Sequence, residues 1–161
     1  MKKIFLTFAT AALFSVTAFA AGGGKKGTET TTATASYAVT QAFNADFNGA
    51  KNVVWTIDKN CQKADFVIDG VKKTAFYNLA GDFLGTTQVV AYNAIPAKSQ
   101  KLIADAYKGY IAAGVIVYQA NTAINDNIDP TSYFVDLKSE NHEVLVRVNQ
   151  NGGAEFFSQV K

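Results

Sequence analysis

The chain is poor in the residues that build most catalytic and metal centres. Its 161 residues include one cysteine, Cys61, and one histidine, His142. A single cysteine excludes an internal disulfide, and the scarcity of Cys and His ligands argues against a zinc centre. We interpret Cys61 as a tolerated thiol, with a disulfide to a partner as the alternative, and His142 as a solvated turn residue. A Cys61–His142 pair is the one nucleophilic arrangement that the sequence leaves open.

Common catalytic motifs are also missing. The sequence contains no GxxxxGK[ST], GxSxG or HExxH pattern, which removes the usual phosphate-loop, hydrolase and zinc-protease interpretations. Asn125-x-Asn127-x-Asp129 imitates the start of a calcium loop, but Pro130 stands where that loop needs glycine. We therefore predict that the chain is not an enzyme and that it carries no cofactor and no metal.

An excess of basic charge is absent once the first residues are set aside. The chain has 15 basic and 13 acidic side chains, and removal of Lys2 and Lys3 leaves 13 of each. A chain without net positive charge lacks the electrostatic attraction that drives general binding to nucleic acid. We predict no nucleic-acid partner.

No apolar run is long enough to cross a bilayer, but the N-terminus has the pattern of a secretory signal. Residues 1–20 combine two lysines, an apolar run and the small-x-small end Ala18-Phe19-Ala20. We predict cleavage after Ala20 and a periplasmic or extracellular protein that does not insert into a membrane. Residues 21–36 are rich in Gly and Thr and predict a flexible linker. Residues 37–161 then form one domain.

Spacing within the domain predicts two helices and a set of strands. Val39, Phe43 and Phe47 recur every fourth residue, and Pro96 precedes a second apolar stripe over Ala97–Lys108. Val53 and Ile57 are aliphatic and stand two residues on either side of Trp55, which predicts that Trp55 is a core anchor of the first strand. Period-two patterns and turn residues predict strands at Val53–Asp58, along Ala64–Gly85, and at Phe83–Tyr92, Gly114–Ala120, Tyr133–Lys138, Glu143–Asn149 and Ala154–Val160.

Two short motifs suggest an internal repeat. Phe66-Val67 recurs as Phe134-Val135 at an offset of 68 residues, and Asn78-x-x-Gly81 recurs as Asn149-x-x-Gly152 at an offset of 71. We therefore predict an α+β fold in which tandem helix-plus-four-strand repeats form a curved antiparallel sheet with the helices packed on one face.

The order of these motifs resembles the PepSY-like family of secreted bacterial proteins, which is also called beta-lactamase-inhibitor-like. The resemblance covers roughly Tyr37–Val160. It implies a tandem α+β domain without a known catalytic site. Inhibition of an enzyme is suggested only by analogy with an inhibitory protein of similar fold. The motifs that carry it are Val53-Val54-Trp55, Asn78-x-x-Gly81, Ile95-Pro96 and Tyr107-x-Gly109-Tyr110.

Alternation in the last strands predicts a contact surface. If Val135 and Leu137 face the helices, the residues between them face away, and an aromatic patch with an arginine is typical of binding hot spots. We expect a non-enzymatic module that binds another secreted or envelope protein, inhibitor-like toward an envelope protease or hydrolase. The predicted binding residues are Phe134, Asp136, Leu145, Arg147 and Phe157.

Two alternatives stay open at this point. As an alternative to a binding surface, the patch residues would only pack across strands, or the assignment of the two sheet faces would be inverted by one residue. For the function, the alternative is a small-ligand carrier or envelope stress protein, which predicts a cavity between helices and sheet lined by Tyr77, Tyr92 or Tyr107.

Overall fold

The computed structural model describes residues 34–161, so the predicted signal segment and most of the predicted linker lie outside the described residues. The helices are α1 (Tyr37–Asp46) and α2 (Ala97–Ala106), and a short 3₁₀ turn at Tyr92–Ala94 precedes α2. The strands are β1 (Lys51–Ile57), β2 (Cys61–Ile68), β3 (Val71–Asn78), β4 (Phe83–Val90), β5 (Ile111–Ala120), β6 (Thr131–Lys138), β7 (Glu143–Asn149) and β8 (Ala154–Gln159).

All eight strands form one antiparallel sheet in which neighbours in the chain are neighbours in space, from β1 to β8. The pairing of β4 with β5 runs from Gly85 opposite Ala120 to Val90 opposite Val115. Hydrogen bonding therefore continues through the middle of the sheet without a break.

The prediction of tandem helix-plus-four-strand repeats was wrong. Residues 34–161 instead form mostly one eight-stranded sheet with two helices of ten residues each, and the β4–β5 pairing leaves no boundary between two units.

The motif matches explain this error. Phe66 packs under α1, whereas Phe134 belongs to a cluster on the opposite face of the sheet. Only the turns share their hydrogen bonding: Gly81 N–H donates to the Asn78 carbonyl at 3.1 Å, and Gly152 N–H donates to the Asn149 carbonyl at 3.0 Å. Since strand side chains alternate with a period of two, the offset of 68 instead of 71 residues moved the phenylalanine match to the other face.

Helix α1 closes an aromatic core. The Ser36 hydroxyl accepts a hydrogen bond from the Val39 N–H at 3.3 Å and caps the helix, which is the usual role of serine at this position. Phe43 is buried, and its ring lies 5.0 Å from that of Phe66 and 5.3 Å from that of Trp55. The four-residue spacing thus forms the apolar side of α1, as predicted. Ser36 belongs to the fold, although we predicted that it lies in the linker.

Helix α2 closes an aliphatic core. Pro96 stands at its N-cap, and Ile103 is buried against strands β5, β6 and β7. Alternate residues of these strands complete the cluster, namely Val115, Val135, Leu137, Val144, Val146 and Val148. The register across β4 and β5 puts this cluster and the α1 cluster on the same side of the sheet, which we call the helix face.

Candidate functional site

The opposite side of the sheet, which we call the open face, carries the residues that alternate with the helix-face core. On it Ile116, Tyr118 and Phe134 form a buried cluster that Phe157 joins. Asp136, Leu145 and Arg147 lie on the same face, because Asp136 pairs with Leu145 and Phe134 pairs with Arg147 in the β6–β7 register. The structure therefore brings all five predicted binding residues together.

Burial limits what these five residues offer to a partner. Phe134 is 7% exposed, Asp136 is 3% exposed and Leu145 is fully buried. The rings of Phe134 and Phe157 pack edge to face with centroids 5.0 Å apart. Packing across strands, the alternative to binding, thus accounts for the three buried residues, and direct contact with a partner is limited to Arg147 and Phe157.

Arg147 is held by acidic residues on both sides. Its Nη2 lies 3.0 Å from Asp129 Oδ2 and 3.3 Å from Ser132 Oγ, and its Nη1 lies 3.5 Å from Glu155 Oε1. The Asn149–Gly152 turn places Glu155 directly opposite Arg147, so the contact between these two residues follows from the position of the turn. No local sequence pattern predicted the contact of Arg147 with Asp129, because Asp129 lies in a connection 18 residues earlier in the chain.

Asp136 is a buried carboxylate with one oxygen paired. Its Oδ2 lies 3.4 Å from Lys138 Nζ, which also contacts Glu143 at 3.2 Å, while Oδ1 has no hydrogen-bond partner. Burial raises the pKa of Asp136 because desolvation disfavours the charged form, and the nearby Lys138 only partly opposes this shift.

Tyr118 covers the middle of the open face. Its hydroxyl donates to the Leu84 carbonyl at 2.8 Å, and burial raises its pKa to about 12. The ring lies over Gly85, where an added Cβ would come within 2.9 Å of it and would collide with the Gln119 carbonyl oxygen. A glycine at this position therefore lets the tyrosine lie close to the backbone.

One accessible apolar part of the open face lies on strands β1 to β4. Val89, which is 66% exposed, shares this face because it pairs with Ile116. A groove of about 560 Å³ opens beside the start of β1 and includes Val54, Val67 and Lys72 in its lining. The β1–β2 register is irregular there, and Asn52 adopts a left-handed backbone with φ of 54°.

Cys61 and His142 are not brought together. Cys61 begins β2 and His142 lies in the β6–β7 turn, which is four strands away and at the other end of the sheet. The Cys61 Sγ donates to Asp58 Oδ2 at 3.7 Å, and burial raises the pKa of the thiol. A raised pKa makes a thiolate nucleophile less available.

The tyrosines of the carrier alternative take part in the helix-face packing. Tyr77 is fully buried among the aromatic side chains under α1, and Tyr92 and Tyr107 pack against the α2 cluster. The lining of the groove beside β1 includes none of these three tyrosines.

Residues 34–161 contain no group of three or more His, Cys, Asp or Glu side chains placed to hold a metal ion. Neither α1 nor α2 has the length and apolar character that crossing a bilayer requires.

Comparisons with known proteins identify the fold. No family model matches the chain, and no curated protein matches it in sequence. Among solved structures, a BLIP-like protein from Bacteroides fragilis superposes with a TM-score of 0.64 at 18% identity, over 78% of this chain and 86% of that one.

Two further Bacteroides structures agree. A DUF2874 family protein from Bacteroides uniformis has a TM-score of 0.65 at 16% identity, over 76% of this chain and 89% of that one. A structure from Bacteroides eggerthii described as "putative periplasmic proteins" has a TM-score of 0.65 at 17% identity, over 79% of this chain and 88% of that one. The chain therefore has a BLIP-like fold.

Proposed function

We propose that this chain is a periplasmic, non-enzymatic binding module that contacts another secreted or envelope protein through the open face of its sheet. One observation carries the proposal: α1 and α2 both close the helix face, while the open face keeps an exposed Val89 and a groove beside β1. Exposed apolar groups on an otherwise polar surface are typical of protein contact sites.

The comparisons support the fold and the periplasmic location that this proposal assumes. One structural neighbour is described as BLIP-like and another as periplasmic, which agrees with the predicted location of this chain. Inhibitor-like action on an envelope protease or hydrolase is the finer part of the proposal and rests on the shared fold. Membership of the PepSY-like family stays a prediction.

Capture of a partner tests the proposal. The protein is purified from the periplasm, immobilised and exposed to periplasmic extract, and each recovered hydrolase or protease is assayed with and without it, together with a beta-lactamase. We expect Val89→Arg to reduce recovery of the partner at least tenfold, because a charge in the apolar centre of an interface is desolvated without a counter-charge.

Leu102→Arg is the matched control. Leu102 is an exposed apolar residue of α2 on the other side of the molecule, so this variant adds the same charge away from the open face and should leave recovery unchanged. Equal recovery with both variants, or a loss confined to Leu102→Arg, would contradict the use of the open face.

A further inference from the structure

Two lysines of the open face stand beside the groove on β1 to β3. Lys51 pairs with Val67 across β1 and β2, and Lys72 pairs with Val67 across β2 and β3. Directly paired residues share a face of the sheet, so the two lysines flank Val67 on the open face. Both lysines are exposed, and in residues 34–161 neither of them forms an ion pair. The groove therefore has an unneutralised ammonium group on each side of a valine.

Val67 and Lys72 line a depression and not a flat part of the sheet. The register of β1 on β2 shifts between Lys51 and Val54, so this part of β1 does not pair residue for residue with β2. The groove of about 560 Å³ lies at this irregular part and includes Val54 in its lining. A carboxylate bound in a cleft is attracted to nearby ammonium groups more strongly than one on a flat surface, because less water separates the charges.

One carboxylate already lies in the groove, and a neighbouring hydroxyl binds it. Asp65 is the only acidic residue of the lining among the residues that the structure describes, and its Oδ1 accepts a hydrogen bond from the Thr74 hydroxyl. Asp65 forms no ion pair with a lysine in residues 34–161. Lys51 and Lys72 therefore keep their charges available for a bound group.

The opposite half of the open face differs, because its cations are already paired. Lys138 and Arg147 each contact two carboxylates, so strands β6 to β8 and the connection before them carry a net negative charge on this face. An acidic group is thus repelled from that half and attracted to the groove. The four carboxylates belong to Asp129, Asp136, Glu143 and Glu155.

Apolar character continues from the groove toward the middle of the face. The β3–β4 register, in which Lys73 pairs with Gln88, sets Val89 beside Lys72. Val89 is the exposed valine of the proposed contact surface, so the groove and that surface are continuous. Cationic and apolar side chains alternate in this row over four strands that are about 4.8 Å apart. The row consists of Lys51, Val67, Lys72 and Val89.

From these observations we infer that the groove beside β1 binds an acidic segment of the partner protein, with carboxylates on Lys51 and Lys72 and an apolar side chain over Val67. Alternate residues of an extended segment point to the same side, so the matching pattern is acidic-x-apolar-x-acidic. The inference rests on the proposed function, because it names the kind of segment that the partner presents to the open face.

A short peptide tests this pattern before the partner is identified. The acidic peptide is Ser-Glu-Ser-Val-Ser-Glu-Ser with both ends blocked, and the basic peptide carries Lys in place of each Glu. Titration of the purified protein is followed by the NMR shifts of its backbone amides. We expect the acidic peptide to shift groove residues in a saturable way and the basic peptide to leave them unchanged. Added salt should weaken the binding, because both lysines are exposed.

Charge reversal tests the role of the two lysines. Lys51→Glu and Lys72→Glu should each raise the dissociation constant of the acidic peptide about tenfold, since each change sets like charges against each other. The double variant should bind the basic peptide instead. Lys101→Glu is the matched control: Lys101 is an exposed lysine of α2, so this variant changes the net charge equally and should leave binding unchanged. Circular dichroism confirms the fold of each variant.

The outcomes separate this inference from the proposed function. An acidic peptide that does not bind, or that Lys72→Glu and Lys101→Glu weaken equally, would overturn the inference. Binding to phosphatidylglycerol vesicles without binding to the acidic peptide would also overturn it, since the groove would then recognise a lipid surface. If Val89→Arg abolishes capture of the partner while Lys51→Glu and Lys72→Glu retain it, the inference fails and the proposed function stands.

Discussion

The two faces of this sheet use different physical chemistry. The helix face is closed by apolar side chains under α1 and α2, and its core positions are valine, leucine, isoleucine, alanine and aromatic residues. In residues 34–161 all four ion pairs lie on the open face, where Lys138 and Arg147 hold acidic neighbours. Apolar burial stabilises regardless of partner geometry, whereas charges confer selectivity. The helix face therefore supplies most of the apolar core, while the open face adds a smaller buried cluster and carries the charges that suit recognition.

The sharpest test of this division is Phe43→Ala in the helix-face core. Phe43 is buried, and its ring contacts those of Phe66 and Trp55. Removing it should lower the free energy of unfolding by about 3–5 kcal/mol, measured by urea denaturation, because it leaves a large cavity. A loss below about 1 kcal/mol would show that the α1 core contributes far less than its burial implies.

On the open face the largest effect should come from Gly85→Ala. The new Cβ meets the Tyr118 ring and the Gln119 carbonyl, and Gly85 has φ of 146°. We expect a loss of about 2–4 kcal/mol from steric overlap and backbone strain together. Gly70→Ala is the control, since Gly70 also has positive φ but nothing lies within 4 Å of an added Cβ. It should cost about 1 kcal/mol, and equal losses would contradict the packing of Tyr118 on β4.

A smaller effect is expected for Arg147→Gln, which removes the contacts to Asp129 and Glu155. These groups are partly exposed, so the loss of global stability should be under about 1 kcal/mol. Amide hydrogen exchange should nevertheless accelerate in residues 121–130, because Asp129 anchors that loop. Lys138→Gln removes the ion pairs at the other end of the face and should leave exchange in the loop unchanged. Unaltered exchange in Arg147→Gln would show that the salt bridge does not hold the loop.

The smallest effect should be a pH dependence in Asp136→Asn. Burial raises the pKa of Asp136 in the folded state above its ordinary value of 3.8, so the parent loses stability as pH rises from 3.8 through the raised pKa. Asparagine does not titrate, so the variant does not lose this stability. As pH rises from 3.8 through the raised pKa, the unfolding free energy of the variant should therefore increase relative to that of the parent. Urea denaturation at several pH values between 3 and 7 measures it, and parallel curves would contradict a raised pKa.

Much of the fold could be predicted from period-two patterns, because each strand residue either joins the core or avoids it. The pattern correctly put Val135 and Leu137 on the helix face and Phe134 on the other. Strand starts were less predictable: β2 begins at Cys61 and β5 at Ile111, where polar residues or a bulge between Ala112 and Gly114 interrupt the alternation.

The candidate site was predictable only in part. The hairpin turn implied the contact of Arg147 with Glu155, since register follows from the turn. The folding of loop 121–130 over the open face was not predictable, because Ile128 and Asp129 meet residues that no local pattern relates to them. The short phenylalanine match at an offset of 68 residues also misled, since chance similarity carries no information about which face a residue takes.

Site-specific photo-crosslinking in the periplasm tests the central claim most directly. A photoreactive amino acid replaces Val89 on the open face in one strain and Leu102 on α2 in another, two exposed apolar positions on opposite sides of the molecule. We predict a crosslink to another envelope protein from position 89 and little from position 102. Crosslinks from position 102 alone, or from neither position, would contradict the claim that the open face is the contact surface.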